Sequence, residues 1–295
     1  LSTAAATAFE IMELIARAAA YLRENGVIKP RLNAELLLAH TTGRTRAELY
    51  AYPEKPIPSP CKDGFIAAVR RRAAHEPLQY ITGAKGFRYL ELEVDGRALI
   101  PRPETEMLVE RAVQILRAAQ GHPLVVDMGT GSGCIALSLV GECPAAVVYA
   151  TDISADALAL ARGNARRLAL DGLVSFHLGD LCDALEKELA GRIDLIVCNP
   201  PYVRESDFPS LPLEVREHEP YISLVAGPEG TEVHRRLMEQ APSWLAPSGC
   251  LLMEGGEDQV DGLARTANKL GYGAVEVHPD LNGRPRILEM HRHQA

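Results

Sequence analysis

The 295-residue sequence has no paired cysteines, no excess of basic residues and no long apolar run, and each absence removes a class of function. Cys61, Cys134, Cys143, Cys182, Cys198 and Cys250 form no C-x-x-C pair and no metal-ligand spacing. They read as small core residues of a reducing compartment, which places the protein in the cytoplasm. The histidines are scattered, and His291 and His293 fall in a C-terminal tail expected to fray, so no metal site is expected. A net charge of −8 argues against a main task of gripping a nucleic-acid backbone, though not against a local basic patch. No apolar run approaches the length of a membrane span. Glu10 and Glu13 interrupt the apolar N-terminus and no basic stretch precedes it, so no signal peptide is expected. The chain begins at Leu1, so an initiator residue or short leader is expected to be missing.

What is present belongs to an ordinary globular protein. Hydrophobic residues make up 47% and charged residues 24%, enough for one large domain or one domain with a small partner. Residues 5–74 read as helices without a strand signal or a catalytic constellation. Ile11, Leu14, Ile15, Ala18, Ala19 and Leu22 recur at helical spacing, with Gly26 as a stop. Asn33 is the expected cap of a second helix ending near Gly43, Thr45 of a third, and Ser59 of a fourth that carries Phe65, Ile66 and Val69. The run Arg70-Arg71-Arg72 on that helix reads as a solvated face, with a partner contact as the alternative.

From Pro77 the pattern changes. Tyr80-Ile81-Thr82, Phe87–Leu90 and Leu92-Glu93-Val94, with Gly83, Gly86 and Asp95-Gly96 between and after them, predict a β-hairpin. Residues 1–76 are thus expected to form a helical domain, 77–103 a hairpin linker and 104–295 the main domain. In that main domain strands at 124–127, 146–151, 174–178, 193–198, 250–254, 274–278 and 286–290 alternate with helices. Such alternation predicts an α/β fold with a mostly parallel, seven-stranded sheet. The last two strands are joined by too short a loop for a crossover, so that pair should be antiparallel.

The most informative stretch is Asn199-Pro200-Pro201-Tyr202, directly after the apolar strand Ile193–Cys198. Neither proline can donate a ladder hydrogen bond, so the strand must stop there and a rigid loop must follow at its C-terminal end. In an open α/β sheet that is where ligands bind. The loop offers an amide side chain, an aromatic ring and carbonyls, a set that suits a planar target carrying an NH2 group. The Asn199 Oδ1 and the Pro200 carbonyl can accept its two N–H bonds, and the Tyr202 ring can lie against its plane. Taken alone, the four residues also read as a strand-ending turn.

Upstream, Asp127-Met128-Gly129-Thr130-Gly131-Ser132-Gly133 joins the first strand of the sheet to its helix. Alternate glycines let a ligand approach the backbone and expose N–H groups at a helix N-terminus. Counted from Gly131 the run also permits a dinucleotide fingerprint, with Ala136 in the last position. Asp152 ends the next strand and can take both hydroxyls of a ribose. Asp180 ends the third, followed by Leu181, which can flank an adenine ring, and Asn199 ends the fourth. A polar group at each successive strand end describes a nucleoside laid across the edge of the sheet, while a helix cap is the alternative for any one of them.

The ordered set of motifs resembles a family. Asp-x-Gly-Thr-Gly-Ser-Gly, an acidic end to strand two and Asn-Pro-Pro-Tyr are similar to class I S-adenosylmethionine-dependent methyltransferases, whose fold is Rossmann-like. Together with Glu76–Gly83 and Ile100-Pro101-Arg102-Pro103-Glu104-Thr105-Glu106, they resemble the bacterial release-factor glutamine methyltransferases (the PrmC/HemK family) over nearly the whole chain. The resemblance implies S-adenosylmethionine as cofactor, S-adenosylhomocysteine as product and no metal. It implies Asn199, Pro200, Pro201 and Tyr202 at the reacting amide, and Gly129, Thr130, Gly131, Ser132, Gly133, Asp152, Asp180, Leu181 and Asn199 around the cofactor. It also implies class I peptide chain release factors, through their Gly-Gly-Gln loop, as partners held by the N-terminal helices, with no direct nucleic-acid or membrane partner. The rival readings are a glutamine methyltransferase of a ribosomal protein, a DNA adenine N-methyltransferase and a non-enzymatic nucleotide-binding module. The acidic charge argues against the DNA enzyme, and the binding module leaves Asn199–Tyr202 unexplained.

Overall fold

Ile11, Ile15, Ala18, Ala19 and Leu22 repeat every three or four positions, and they form the buried stripe of α1 (Thr3–Glu24). The computed structural model describes residues 3–293, with side chains from Glu10. It separates into two units, one running to Gly83 and including Pro212–His218, the other comprising Ala84–Leu211 and the chain from Glu219.

In the first unit α1 packs with α2 (Pro30–Thr42), α3 (Arg46–Ala51), α4 (Ser59–Ala73) and α5 (Leu78–Thr82) around Leu37, Leu38, Leu49, Phe65 and Val69. Thr45 caps α3 in a full capping box with Glu48, and Gly43 closes α2 in the left-handed conformation, as their types predict. Three local expectations are corrected. Asn33 does not cap α2, because Pro30 starts the helix a turn earlier; its amide donates instead to the Ile28 and Lys29 carbonyls at 3.0 and 3.1 Å. Ser59 lies inside α4 behind Pro58 and caps nothing. Arg72 is not solvated: it is buried, donating to Asn33 Oδ1 and the Glu76 carbonyl at 2.8 Å each and to Glu214. The run of three arginines therefore splits, since α4 turns Arg72 inward and leaves Arg70 exposed.

Tyr80-Ile81-Thr82 is also not a strand. It forms α5, which ends at Gly83 with φ +71°, and the helical unit runs through it. The hairpin is shorter than expected, β1 (Ala84–Phe87) with β2 (Leu90–Glu93), and its turn is Arg88-Tyr89 rather than Asp95-Gly96. Arg88 takes φ +49°, which few side chains accept. Its guanidinium is held by Glu142 at 2.5 and 2.6 Å, Glu110 at 2.9 Å and the Glu106 carbonyl at 3.1 Å.

The rest of the second unit is α6 (Thr105–Ala118), β3 (Leu124–Met128), α7 (Cys134–Glu142), β4 (Val147–Asp152), α8 (Ala155–Arg167), β5 (Val174–Leu178) and β6 (Ile193–Cys198). Beyond them come β7 (Val203–Arg204), the excursion through α9 (Leu213–Arg216) that belongs to the first unit, β8 (Val225–Gly227), α10 (Glu232–Gln240), β9 (Leu245–Glu254), α11 (Val260–Lys269), β10 (Ala274–Pro279) and β11 (Pro285–His291). The large sheet has seven strands in the order β10-β11-β9-β6-β3-β4-β5. From β9 to β5 neighbours are parallel, while β11 is antiparallel to both β9 and β10. Val126, Met128, Ile196, Cys198, Leu251 and Met253 pack against α10 and α11, and the alternate residues Val125, Leu195, Val197 and Leu252 are buried as well, so both faces are covered. His291 is not frayed: it closes β11 and bonds Glu289 at 2.9 Å. The chain runs outward from β3 to β5 and then returns to β6 on the other side of β3, so the strand order reverses between β3 and β6, and ligands of such sheets bind at the strand ends there.

Candidate active site

Strand register brings the site together. Met128 pairs with Cys198, Cys198 with Met253 and Met128 with Thr151, so Gly129, Asn199, Glu254 and Asp152 leave the sheet at one level. Above them opens a cavity of about 300 Å³, the lower end of the range for small-ligand pockets. Of the residues expected at the cofactor, Gly129, Thr130, Gly131, Ser132, Asp152, Asp180, Leu181 and Asn199 line it, as do Pro200 and Pro201 of the loop.

Two expected residues are not on the wall. Gly133 has φ +86° at the start of α7, and a Cβ there would come within 3.1 Å of Leu137 and 3.3 Å of Ala161. A side chain there would crowd Leu137 of the same helix and Ala161 of α8. Tyr202 also lies off the wall. Its ring is half-buried, and burial, then the neighbouring Glu254 carboxylate, pushes its phenol up to about 12, so the hydroxyl keeps its proton. The Tyr202 carbonyl is fixed by Gln259 Nε2 at 2.9 Å, which anchors the end of the Asn-Pro-Pro-Tyr loop.

The glycine loop is held from below by Asp127. This carboxylate is fully buried and accepts from Thr130 Oγ1 at 2.6 Å and the Ala136 N–H at 3.0 Å, tying loop to helix. Burial outweighs those bonds and pushes its pKa up to about 7. Gly129 and Gly131 adopt φ +72° and +56°, conformations that side chains rarely take, and they carry the backbone along the cavity floor. Asp152 accepts the Gly131 N–H on Oδ2 and the Ser154 N–H on Oδ1, both at 2.9 Å. Each oxygen keeps a second lone pair, so two vicinal hydroxyls can be accepted at once. Burial raises its pKa, against the pull of those N–H groups. Asp180 is paired with Arg236 at 2.6 Å and Leu181 sits at φ +49°, a strained setting that turns the chain at the cavity rim.

Sequence reasoning missed the support behind Asn199. Asn199 Nδ2 donates to Thr105 Oγ1 at 2.9 Å, and Thr105 Oγ1 donates to Glu254 Oε2 at 2.8 Å. In the sequence Thr105 stands out only as part of the Ile100–Glu106 motif, and Glu254 only as the end of the predicted strand at 250–254. A charge closing the run Cys250-Leu251-Leu252-Met253 was the available signal, since a buried carboxylate needs a partner. Glu219 is a second buried support, accepting from the Ile100 N–H at 3.1 Å and Arg102 Nη2 at 2.6 Å. Among the described residues, the side chains with metal-ligand proximity gather at Glu289, on β11, whose two oxygens also accept from Arg111 at 2.6 and 2.9 Å. No helix among the described residues is long and apolar enough to cross a membrane.

An open, mostly parallel sheet with a glycine loop, a buried Asp152 and an Asn-Pro-Pro-Tyr loop at one switch point has known counterparts. The family model for the PrmC N-terminal domain matches residues 13–83, and that for the methyltransferase small domain matches residues 105–210. The chain is 40% identical to the release factor glutamine methyltransferase of Chlorobaculum tepidum, over 95% of this chain and 96% of that protein. It is 39% identical to that of Moorella thermoacetica, over 96% and 99%. A methyltransferase crystal structure from Pyrococcus furiosus, 20% identical, shares the fold with a TM-score of 0.52 over 75% of this chain and 98% of its own. The fold is that of the class I methyltransferases, and the chain belongs to the release factor glutamine methyltransferase family.

Proposed function

We propose that this protein moves a methyl group from S-adenosylmethionine to the side-chain amide nitrogen of the glutamine in the Gly-Gly-Gln loop of class I peptide chain release factors, in the cytoplasm. The observation that carries this reading is the orientation of Asn199. Its Nδ2 is committed to Thr105, so Oδ1 is left as an acceptor on the cavity wall.

The cavity suits the cofactor on its own terms: a glycine floor without side chains, a carboxylate with one open lone pair per oxygen, and Leu181 at the rim. Asp152 would hold the ribose hydroxyls, and the backbone of Gly129–Ser132 the part of the molecule next to the ribose. Bound there, S-adenosylmethionine supplies an electrophilic methyl on a sulfonium sulfur. An amide nitrogen is a poor nucleophile because its lone pair is delocalised into the carbonyl. The residues therefore act by placement. Asn199 Oδ1 and the Pro200 carbonyl accept the two amide N–H bonds and aim the nitrogen, an effect worth up to about 7–11 kcal/mol. Those same oxygens stabilise the positive charge that gathers on nitrogen as its bond to carbon forms. The proton leaves afterwards to solvent. The helical unit, through Gly83, would hold the body of the release factor.

The test is transfer of label from S-adenosylmethionine to a purified release factor, to the same factor with its Gly-Gly-Gln glutamine replaced, and to duplex DNA. Label on the first alone is expected, and label on DNA would overturn the reading. Asn199→Ala should lower the transfer rate at saturating S-adenosylmethionine by about 10²–10³-fold, as loss of one preorganised polar group does.

A further inference from the structure

A carboxamide has two ends of equal size, and only the oxygen end can receive a substrate N–H. Something must decide which way Asn199 lies. The decision is made outside the loop. Glu254, at the end of β9, and Thr105, at the start of α6 and itself on the cavity wall, are each 1% exposed and follow the Asn199 amide in one chain of hydrogen bonds. We propose that Thr105 and Glu254 are positioning residues: the Glu254 carboxylate accepts the hydrogen bond of the Thr105 hydroxyl, which leaves Thr105 Oγ1 as an acceptor for Asn199 Nδ2 and so turns Asn199 Oδ1 toward the substrate amide.

The direction of this relay follows from counting protons. A hydroxyl donates once. An ionised carboxylate accepts only, so Thr105 must spend its proton on Glu254 Oε2, and the bond from Asn199 must then come from the NH2 end. Glu254 Oε1 has no partner of hydrogen-bond geometry, so Thr105 is the one such donor to this carboxylate among the described residues. If Glu254 is protonated on Oε2 it can donate to Thr105, Thr105 can donate onward, and the Asn199 amide is free to turn its oxygen inward. The substrate N–H would then face another N–H. A side chain at 254 thus bears on the reaction without touching the substrate.

The groups around Glu254 set where this reversal falls. Burial is the largest influence and pushes its pKa up to about 7, opposed by the Thr105 bond and by Arg286 of β11. Glu104, beside Thr105, raises it further, while the Tyr202 hydroxyl lowers it without reaching hydrogen-bond geometry with Oε1. His234 of α10 meets the Glu254 backbone carbonyl at 2.8 Å and is held neutral by burial, its pKa lowered to about 4. Cys134 and Cys198 are buried thiols with raised pKa, so they stay uncharged. The carboxylate form, and with it the productive Asn199 orientation, should prevail above about pH 7.

This inference rests on Asn199 accepting the substrate amide, so its test separates the two. With the full-length protein, a release factor and saturating S-adenosylmethionine, the single-turnover rate should rise by about tenfold through an inflection near pH 7. Thr105→Val should cut that rate by about ten- to a hundredfold and leave cofactor affinity within about threefold. Thr105→Ser, which restores the hydroxyl, should recover most of it. Glu254→Gln, whose oxygen can still accept from Thr105 but which does not titrate, should abolish the inflection. A Thr105→Val rate equal to wild type, or equal losses in Thr105→Val and Thr105→Ser, or an unchanged inflection in Glu254→Gln, would each overturn the relay. Full activity in Asn199→Ala would instead overturn the assignment of Asn199 itself.

Discussion

Replacing Asp152 with asparagine tests the cofactor side of the site with the least disturbance of shape. The wild-type carboxylate accepts one backbone N–H on each oxygen, Gly131 on Oδ2 and Ser154 on Oδ1, both at 2.9 Å. The remaining lone pair on each oxygen is what two ribose hydroxyls would use. Asparagine keeps one of these oxygens and replaces the other by NH2. Whichever way it lies, one backbone N–H faces a donor and one hydroxyl loses its acceptor. A hydrogen bond to a charged group contributes about 1.5–3 kcal/mol, so affinity for S-adenosylmethionine should fall by about 10- to 150-fold. Titration calorimetry of the purified proteins measures this, and a drop in melting temperature should accompany it, because the donor–donor contact is present without ligand. Burial raises the Asp152 pKa, so in the wild type affinity should also decline as pH falls through that raised value, and the variant should lose this dependence. An Asp152→Asn affinity within about threefold of wild type would refute the role given to this carboxylate.

Asp127 yields a prediction whose sign changes with pH. Its folded pKa of about 7 lies above the ordinary 3.8, so the folded protein keeps a proton that the unfolded chain releases, and stability falls as pH rises from about 4 to 7. That gap is worth about 4 kcal/mol at most above pH 7, while the unpaired NH2 of Asp127→Asn costs about 1–3. Urea denaturation should show the variant more stable than wild type by about 1–3 kcal/mol at pH 8 and less stable by a similar amount at pH 4; equal differences at both would refute the assignment. Arg72→Ala should destabilise the helical unit by about 3–5 kcal/mol, because it strands the buried groups that Arg72 now satisfies, and lysine should not replace its fork; equilibrium denaturation would show it. Gly230→Ala should lower the transfer rate tenfold or more at unchanged cofactor affinity, since Gly230 has φ +73° and a Cβ there would lie 2.8 Å from the Tyr202 carbonyl that ends the Asn-Pro-Pro-Tyr loop.

Much of the fold was legible because it rests on short-range rules. The alternation from Leu124 onward allowed little except a parallel sheet with crossovers, and the short link between the last two strands required an antiparallel pair. The errors fell where a local pattern had two readings. Tyr80-Ile81-Thr82 is β-prone by residue type yet forms a helical turn. Arg70-Arg71-Arg72 looks uniformly polar, but helical phase turns the third arginine inward to partners as distant in sequence as Asn33 and Glu214.

The sequence by itself determined the class of fold, the strand ends that carry Gly129, Asp152 and Asn199, and the stop that Pro200 and Pro201 impose on β6. Each of these follows from residue type and from neighbours a few positions away. Only the tertiary structure decided that Tyr202 stands off the cavity wall, that part of the 203–224 excursion belongs to the helical unit, and that Thr105 and Glu254 stand behind Asn199. The reason is physical. Which end of an amide points at a substrate depends on donors and acceptors brought together from positions 105, 199 and 254, and that meeting exists only once the strands are in register.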